Sequence, residues 1–308
     1  MKMLDAHQTQ SVLPFAELVP AIARAARELA SGALQSPERL VVPAGGGSLL
    51  CMPAVASDIG ITKLITVHKT NSERGLPAIQ GEMIIFEADT GRRLLMLDGA
   101  TVTARRTAAV TMLGIETLAR SKPTSVMLIG TGVQAWMHAL ALIEYMGVRR
   151  FSIAGTELSR ARQFIAKLRS LVPDVDATAV TADSLPPTGT GEDVVIALTT
   201  STKPVVPAQL PDTTLAVGVG AFRPDMAELP PRLLQQRRIV VDYLHGARSE
   251  AGDLLQAKVD WRAVVEISAL LDAATASGAP SPVFKTVGHA SWDLAAARVA
   301  CQRCEVAS

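Results

Sequence analysis

From Pro14 to Ala30 the apolar positions Leu18, Ile22, Ala26 and Leu29 recur at helical spacing, and Gly32 stands just past the end. The pattern predicts an amphipathic helix with a glycine stop. Five short strand-like runs follow, at 40–43, 48–52, 62–67, 82–88 and 93–97, with Asp89-Thr90-Gly91 as a hairpin signal between the last two. The first third therefore reads as α+β with an antiparallel sheet. A helical stretch over about 103–119 runs up to Lys122-Pro123, where the pattern changes. Beyond it the runs 126–130, 151–155, 177–181, 194–199, 215–218 and 239–242 are short, continuously apolar and mostly β-branched, and helical segments separate the earlier ones. Only strands buried on both faces read this way, so they predict a parallel, doubly wound sheet. The tail 289–304 is again helical, with Leu294, Ala297 and Cys301 on one face, and is expected to pack back on the first domain. The expected class is α/β, with one domain from 1–120 and 286–308 and a second from 121–285.

A chain of 308 residues is long enough for two such cores. Hydrophobic residues at 48% and charged ones at 19%, with a mean hydropathy of +0.27, exclude a disordered protein. Thirty Lys and Arg against 29 Asp and Glu give a net charge of +1, so no global field exists to gather nucleic acid or an anionic membrane. The expected partner is a small molecule. Three cysteines build no disulfide framework and fit a reducing compartment. Asp5, His7 and two glutamines near the start are unlike a secretory leader, so a cytoplasmic protein is expected. The most apolar stretch, 126–148, is broken by Gly130, Gly132, Gln134, His138 and Glu144, and reads as a strand running into a helix rather than a membrane span.

That strand-to-helix junction carries Gly130-Thr131-Gly132-Val133-Gln134-Ala135, the G-x-G-x-x-A pattern in the context it requires. The first glycine permits the tight turn, the second lets backbone approach a pyrophosphate, and the helix N-terminus offers N–H donors to it. The second domain is thus expected to be a Rossmann-type dinucleotide-binding domain. The next strand should end in an acid where the ribose of NAD is held, but here it ends in Gly155-Thr156. Thr156, Ser159 and Arg160 offer hydroxyls and a guanidinium suited to a 2′-phosphate, so NADPH is expected as cofactor, with NADH secondary. The plainer alternative makes Ser159 a helix cap and Arg160 a solvated charge.

Lys63 lies on a strand otherwise made of apolar and hydroxyl residues, where a lysine usually faces solvent. Arg105 and Arg106 stand at the expected start of a helix of small side chains, either as surface charge or as a grip for a buried anion.

Thr62-Lys63, the segment Arg74-Gly75-Leu76-Pro77-Ala78-Ile79-Gln80-Gly81, Leu97-Asp98-Gly99, Thr103-x-x-Arg106-Thr107-Ala108-Ala109, the glycine turn at 130–135, Gly252-Asp253-Leu254 and Val283-Phe284-Lys285-x-x-Gly288 occur together and in order. This combination resembles the ornithine cyclodeaminase/mu-crystallin family along nearly the whole chain. The resemblance implies a homodimer, with the N-terminal sheet and C-terminal helix as dimerisation domain and a Rossmann domain between. It further implies that Lys63 and Arg106 hold a substrate carboxylate, with Arg39 a third cation. The cofactor is expected against Thr107, Gly130, Thr131, Gly132, Val133, Gln134, Thr156, Ser159, Arg160, Thr199, Thr200 and Val219.

Two departures narrow the activity. Cyclodeaminases of the family carry a Glu two residues before a Met-Pro pair, where this chain has Leu50 ahead of Met52-Pro53. They also carry an Asp in the glycine-rich segment before a Pro-x-x-x-Glu-Leu run, where this chain has Phe222. Without those carboxylates an apolar, cation-flanked pocket with Phe222 in its wall suits a cyclic ketimine better than a dibasic amino acid. The expected reaction is reduction of Δ1-pyrroline-2-carboxylate or Δ1-piperideine-2-carboxylate to L-proline or L-pipecolate. Ornithine cyclodeamination, alanine-dehydrogenase-like chemistry and a mu-crystallin-like NADPH-dependent ligand binder are the alternatives.

Most other features read as structural. Cys301-x-x-Cys304 has no second pair to complete a metal site, and Met137 and Met146 fill the core; His68 and His289 have no ligand spacing and are either structural or part of the lining of the active cleft. Gln235-Gln236-Arg237-Arg238 is expected to be a solvated helix end.

Overall fold

The computed structural model describes residues 1–186, 188–273 and 280–306, and divides into two units, Met1–Ala109 with His289–Ser308, and Val110–Gly288.

The first unit opens with β1 (Lys2–Leu4), α1 (Ala6–Ser11) and α2 (Phe15–Ser31), the last ending on Gly32 in the left-handed conformation at φ 77°. Burying Phe15, Leu18, Val19, Ile22, Ala25 and Ala26 on one stripe gives α2 the expected amphipathic role. Strands β2 (Leu40–Ala44), β3 (Gly47–Val55), β4 (Ile59–Val67), β5 (Ile79–Glu87) and β6 (Arg93–Asp98) follow, in spatial order β1-β6-β5-β4-β3-β2. The sheet is mixed rather than antiparallel. The three-residue β1, too short to show any period in the sequence, pairs parallel with β6.

Helix α3 (Gly99–Leu118) begins four residues before the expected start, because the Asp98 carboxylate accepts the Thr101 N–H at 2.7 Å and caps it there. Its small residues pack so closely that a Cβ on Gly114 would come within 2.3 Å of the Phe284 ring.

In the second unit β7 (Ser125–Ile129), α4 (Val133–Met146), β8 (Arg150–Gly155), α5 (Leu158–Leu171) and β9 (Asp176–Thr181) form one half. The other half holds β10 (Val194–Ala197), β11 (Leu215–Gly218), α6 (Pro231–Gln236), β12 (Ile239–Val241), α7 (Leu244–Glu250), α8 (Gly252–Gln256), β13 (Val265–Glu266) and β14 (Val283–Lys285). All eight strands are parallel, in the order β13-β12-β14-β11-β10-β7-β8-β9. The winding reverses between β7 and β10, which makes that pair the topological switch point.

The Gln235–Arg238 cluster is not solvated throughout. Arg237 is buried and donates to the carbonyls of Leu210, Pro211, Thr214 and Ser281, so it ties the loop before β11 to the segment entering β14. Met137 and Met146 are core residues.

The chain then returns to the first unit as α9 (Ala290–Arg303), which packs on α2, β3 and β4. It is buried nearly all round rather than on one face, and the His289 side chain caps it by accepting the Ser291 N–H. Among the described residues no helix is long and apolar enough to cross a membrane.

Candidate active site

On β4 the side chains of Ile61, Lys63 and Ile65 alternate with Thr62, Leu64 and Thr66. Lys63 therefore shares the inward face with two isoleucines and, far from facing solvent, is completely buried. Its cross-strand neighbours are Met52 on β3 and Met83 on β5, both buried, and Leu50 lies one pair further along the same face, opposite Ile65. The ammonium is thus flanked by thioethers and aliphatic carbon. Among the described residues its carboxylate partner comes from the far end of the chain: Asp293 on α9, whose Oδ2 lies 2.7 Å from Nζ. Burial lowers the Lys63 pKa to about 8, the Asp293 charge pulls it back up, and Arg106 and Arg39 push it down.

Arg106 reaches the same carboxylate, its Nε donating to Asp293 Oδ1 at 3.1 Å. The two arginines stand within α3 rather than at its start, and their neighbours separate them completely. Arg105 donates to the Leu13 carbonyl at 2.6 Å and lies 4.0 Å over the Phe15 ring, so it staples α3 to the entry of α2. Sequence reasoning missed Asp293. The available signal was an acid inside the otherwise apolar Trp292-Asp293-Leu294-Ala295 run. Arg39 is half-buried before β2, and the expected contact Thr107 is buried with its hydroxyl donating to the Thr103 carbonyl at 2.7 Å.

In the second unit the expected cofactor residues follow the carboxyl ends of β7, β8, β10 and β11. Gly130 has φ 124°, and a Cβ there would stand 2.6 Å from the Leu198 carbonyl oxygen, so only glycine passes between the two switch-point strands. Gly132 opens α4 with no side-chain cap and nothing within 4 Å of an added Cβ, and Val133 beside it is 73% exposed. The first-turn N–H groups of α4 have no intrahelical acceptor and no side-chain cap, and the buried Gln134 Oε1 has no hydrogen-bond partner among the described residues. This cradle fits a dinucleotide pyrophosphate.

Beyond β8, Thr156, Ser159 and Arg160 are exposed, and the carboxylate of Glu157 accepts from the Ser159 hydroxyl at 3.3 Å and lies 3.8 Å from Arg160. Glu157 rather than Ser159 occupies the cap position of α5. After β10 and β11 a second missed acid organises the loops. Buried Glu228 accepts from Thr199 N at 2.5 Å, Thr199 Oγ1 at 2.9 Å, Gly220 N at 2.6 Å and Ala221 N at 3.1 Å. Burial pushes its pKa up, and the nearby Lys285 charge and the Thr199 donors pull it down. Lys285 is itself buried, 3.2 Å from Asp253, whose other oxygen accepts from the backbone of Glu228 and Leu229. Glu228 thereby fixes the segments that carry Thr199, Thr200, Val219 and Phe222. Val219 is buried, whereas Thr200 is exposed and Phe222 is 38% exposed. Cys301 is a buried free thiol pushed up to about 12, first by burial and then by the charges of Cys304 and Asp58, and among the described residues no group of three or more His, Cys, Asp or Glu stands ready to hold a metal.

A doubly wound parallel sheet with an uncapped glycine turn at its switch point defines a Rossmann-type dinucleotide-binding protein. The chain belongs to the ornithine cyclodeaminase/mu-crystallin family, whose model matches residues 1–307. It is 43% identical to the Δ1-pyrroline-2-carboxylate reductase 1 of Burkholderia multivorans, over 97% of this chain and 94% of that protein. The Δ1-pyrroline-2-carboxylate/Δ1-piperideine-2-carboxylate reductase of Azospirillum brasilense is 42% identical over the same shares. Among solved structures, the Δ1-pyrroline-2-carboxylate reductase of Thermococcus litoralis, in complex with NADH and L-proline, has the same fold with a TM-score of 0.89. It is 23% identical and is covered over 99% of its length by the whole of this chain.

Proposed function

We propose that this protein reduces the cyclic imines Δ1-pyrroline-2-carboxylate and Δ1-piperideine-2-carboxylate to L-proline and L-pipecolate, preferring NADPH and accepting NADH. The observation that carries the reading is the pair of buried cations, Lys63 and Arg106, set against methionine and leucine side chains. A substrate with one carboxylate and an otherwise hydrocarbon ring matches both parts. Leu50 stands on the Lys63 face where the cyclodeaminases of the family carry a Glu, which favours an imine over ornithine. The names of relatives at 42–43% identity over almost the whole chain support the same substrate class.

In the proposed reaction Arg106 forks the substrate carboxylate, Arg39 adds charge, and Lys63 polarises or protonates the imine nitrogen. When bound, NADPH supplies the hydride that adds to C2. The C=N π pair moves to nitrogen and takes up the proton, so the imine becomes a secondary amine. Gly130, Thr131, Gly132, Val133 and Gln134 would hold the pyrophosphate, and Thr199, Thr200 and Val219 the far end of the cofactor. Thr156, Ser159 and Arg160 would hold the 2′-phosphate once Arg160 turns from Glu157. We further propose a homodimer, formed through the first unit's sheet.

The test is NADPH oxidation with each imine in the absence of ammonia. Turnover of either supports the proposal. Ammonia release from ornithine, turnover that needs pyruvate with ammonia, or tight binding without turnover each replaces it with one of the other activities weighed above. For the cofactor, Arg160→Ala should lower the NADPH-to-NADH ratio of kcat/KM, chiefly through NADPH, by roughly 1–3 kcal/mol. An unchanged ratio would mean that Glu157 serves the ribose instead.

A further inference from the structure

We propose that Asp293 is the positioning residue of the cation pair, a single buried carboxylate that fixes the orientation of Arg106 and keeps Lys63 charged for an incoming carboxylate. The inference rests on the reading of Lys63 and Arg106 as substrate-binding groups. Both Asp293 oxygens are used, Oδ2 by Lys63 Nζ at 2.7 Å and Oδ1 by Arg106 Nε at 3.1 Å, and the carboxylate is fully buried. Taking Nε rather than the terminal nitrogens locks the plane of the guanidinium while leaving its fork to a ligand. One carboxylate against two buried cations leaves a positive charge over, which a monocarboxylate ligand balances.

A buried ion cluster of this kind is a poor stabilising device, since apolar residues of similar volume would hold the fold as well. Its use lies in the charge it controls. The charged groups facing Lys63 are Asp293 from α9, Arg106 from α3 and Arg39 from the segment before β2. Met52 and Met83 from the flanking strands carry none, and His289, the cap residue just before α9, is engaged with Ser291. Of these only Asp293 favours the ammonium, while burial and both arginines oppose it. Lys63 is therefore charged below about 8 and neutral above it, and affinity for a carboxylate should fall as pH rises through that value. Without Asp293 the same loss should occur at lower pH.

The test compares the wild type with Asp293→Asn, which keeps size and one acceptor but removes the charge. The Lys63 ammonium is followed by NMR on lysine-labelled protein, its signal assigned with Lys63→Arg. Binding of pyrrole-2-carboxylate, a flat monocarboxylate with nothing that titrates near neutrality, is measured across the same pH range. The Lys63 midpoint should fall by about one to three pH units. Pyrrole-2-carboxylate affinity should weaken at neutral pH and its pH dependence should move with the midpoint. Imine kcat/KM should drop by up to about a hundredfold with NADPH affinity unchanged. An unmoved Lys63 midpoint overturns the proposal, as does a variant that loses only thermal stability. Asp293→Glu serves if the asparagine variant does not fold: it retains the charge and should keep the midpoint while losing kcat/KM through a displaced Arg106. The Lys63 titration needs no substrate, so a wild type inert towards both imines removes the substrate reading while the titration still decides for or against Asp293.

Discussion

Arg105 and Arg106 are adjacent, equally charged and both buried, yet their environments assign them different work. The Arg105 side chain satisfies the Leu13 carbonyl and covers the Phe15 ring, contacts that hold helix to helix, whereas Arg106 turns towards Asp293 and Lys63. Arg105→Ala should therefore lower stability by about 1–3 kcal/mol, from an unsatisfied buried carbonyl and a lost ring contact, with kcat/KM nearly unchanged in the folded fraction. Arg106→Lys keeps charge but loses the fork, and should lower imine kcat/KM by about 1–3 kcal/mol with little change in melting temperature. Thermal melts and steady-state kinetics on the two variants check the division, and the opposite pattern would exchange their roles. Nothing in the sequence separates the two positions. The difference of one residue along α3 is a rotation of about 100°, and what each side chain meets after it depends on segments nearly a hundred or more residues away.

At the scale of elements, strands buried on both faces were the most legible. The runs at β7, β10, β11 and β12 are almost continuously apolar and buried, and their context identifies the glycine turn. The short edge strands were not legible. β1 and β13 have three and two residues, too few for a period, and exist because neighbouring strands offer them unpaired backbone. The tail helix was legible as a helix but its acid was not, because helical spacing says which residues share a face and nothing about a cation arriving from β4. Glu228 belongs to the same class of hidden feature. Its four accepted hydrogen bonds join the loop after β10 to the loop after β11, so two segments far apart in sequence move as one. Glu228→Gln would turn an amide N–H₂ towards backbone N–H donors. The expected outcome is a loss of about 1–3 kcal/mol in stability, together with a raised KM for NADPH. A variant that melts early but keeps its cofactor KM would make Glu228 a fold residue alone.

At the scale of the whole molecule, the proposed homodimer rests on the outer face of the first unit's sheet. Register places Leu40, Cys51, Leu64 and Glu82 in one row, and Pro53, Thr62, Ile84, Met96 and Met3 in the next. Leu40 is 61% exposed, Leu64 46%, Ile84 38% and Met3 64%, a run of apolar side chains across six strands whose opposite face is the buried core. Such a face is costly to leave in water and, alternating with an inward face that forms the core, suits a second copy laid against it. A net charge of +1 raises no long-range repulsion between copies. Leu64→Arg and Ile84→Glu each place a charge in the middle of that face without touching the inward side chains. Each should convert a dimer burying at least about 1,200 Å² into monomer at micromolar concentration, with far-UV dichroism unchanged. Sedimentation velocity reads the result directly. A wild type that sediments as monomer, or variants that remain dimeric, would place the subunit contact elsewhere and leave this apolar face unexplained.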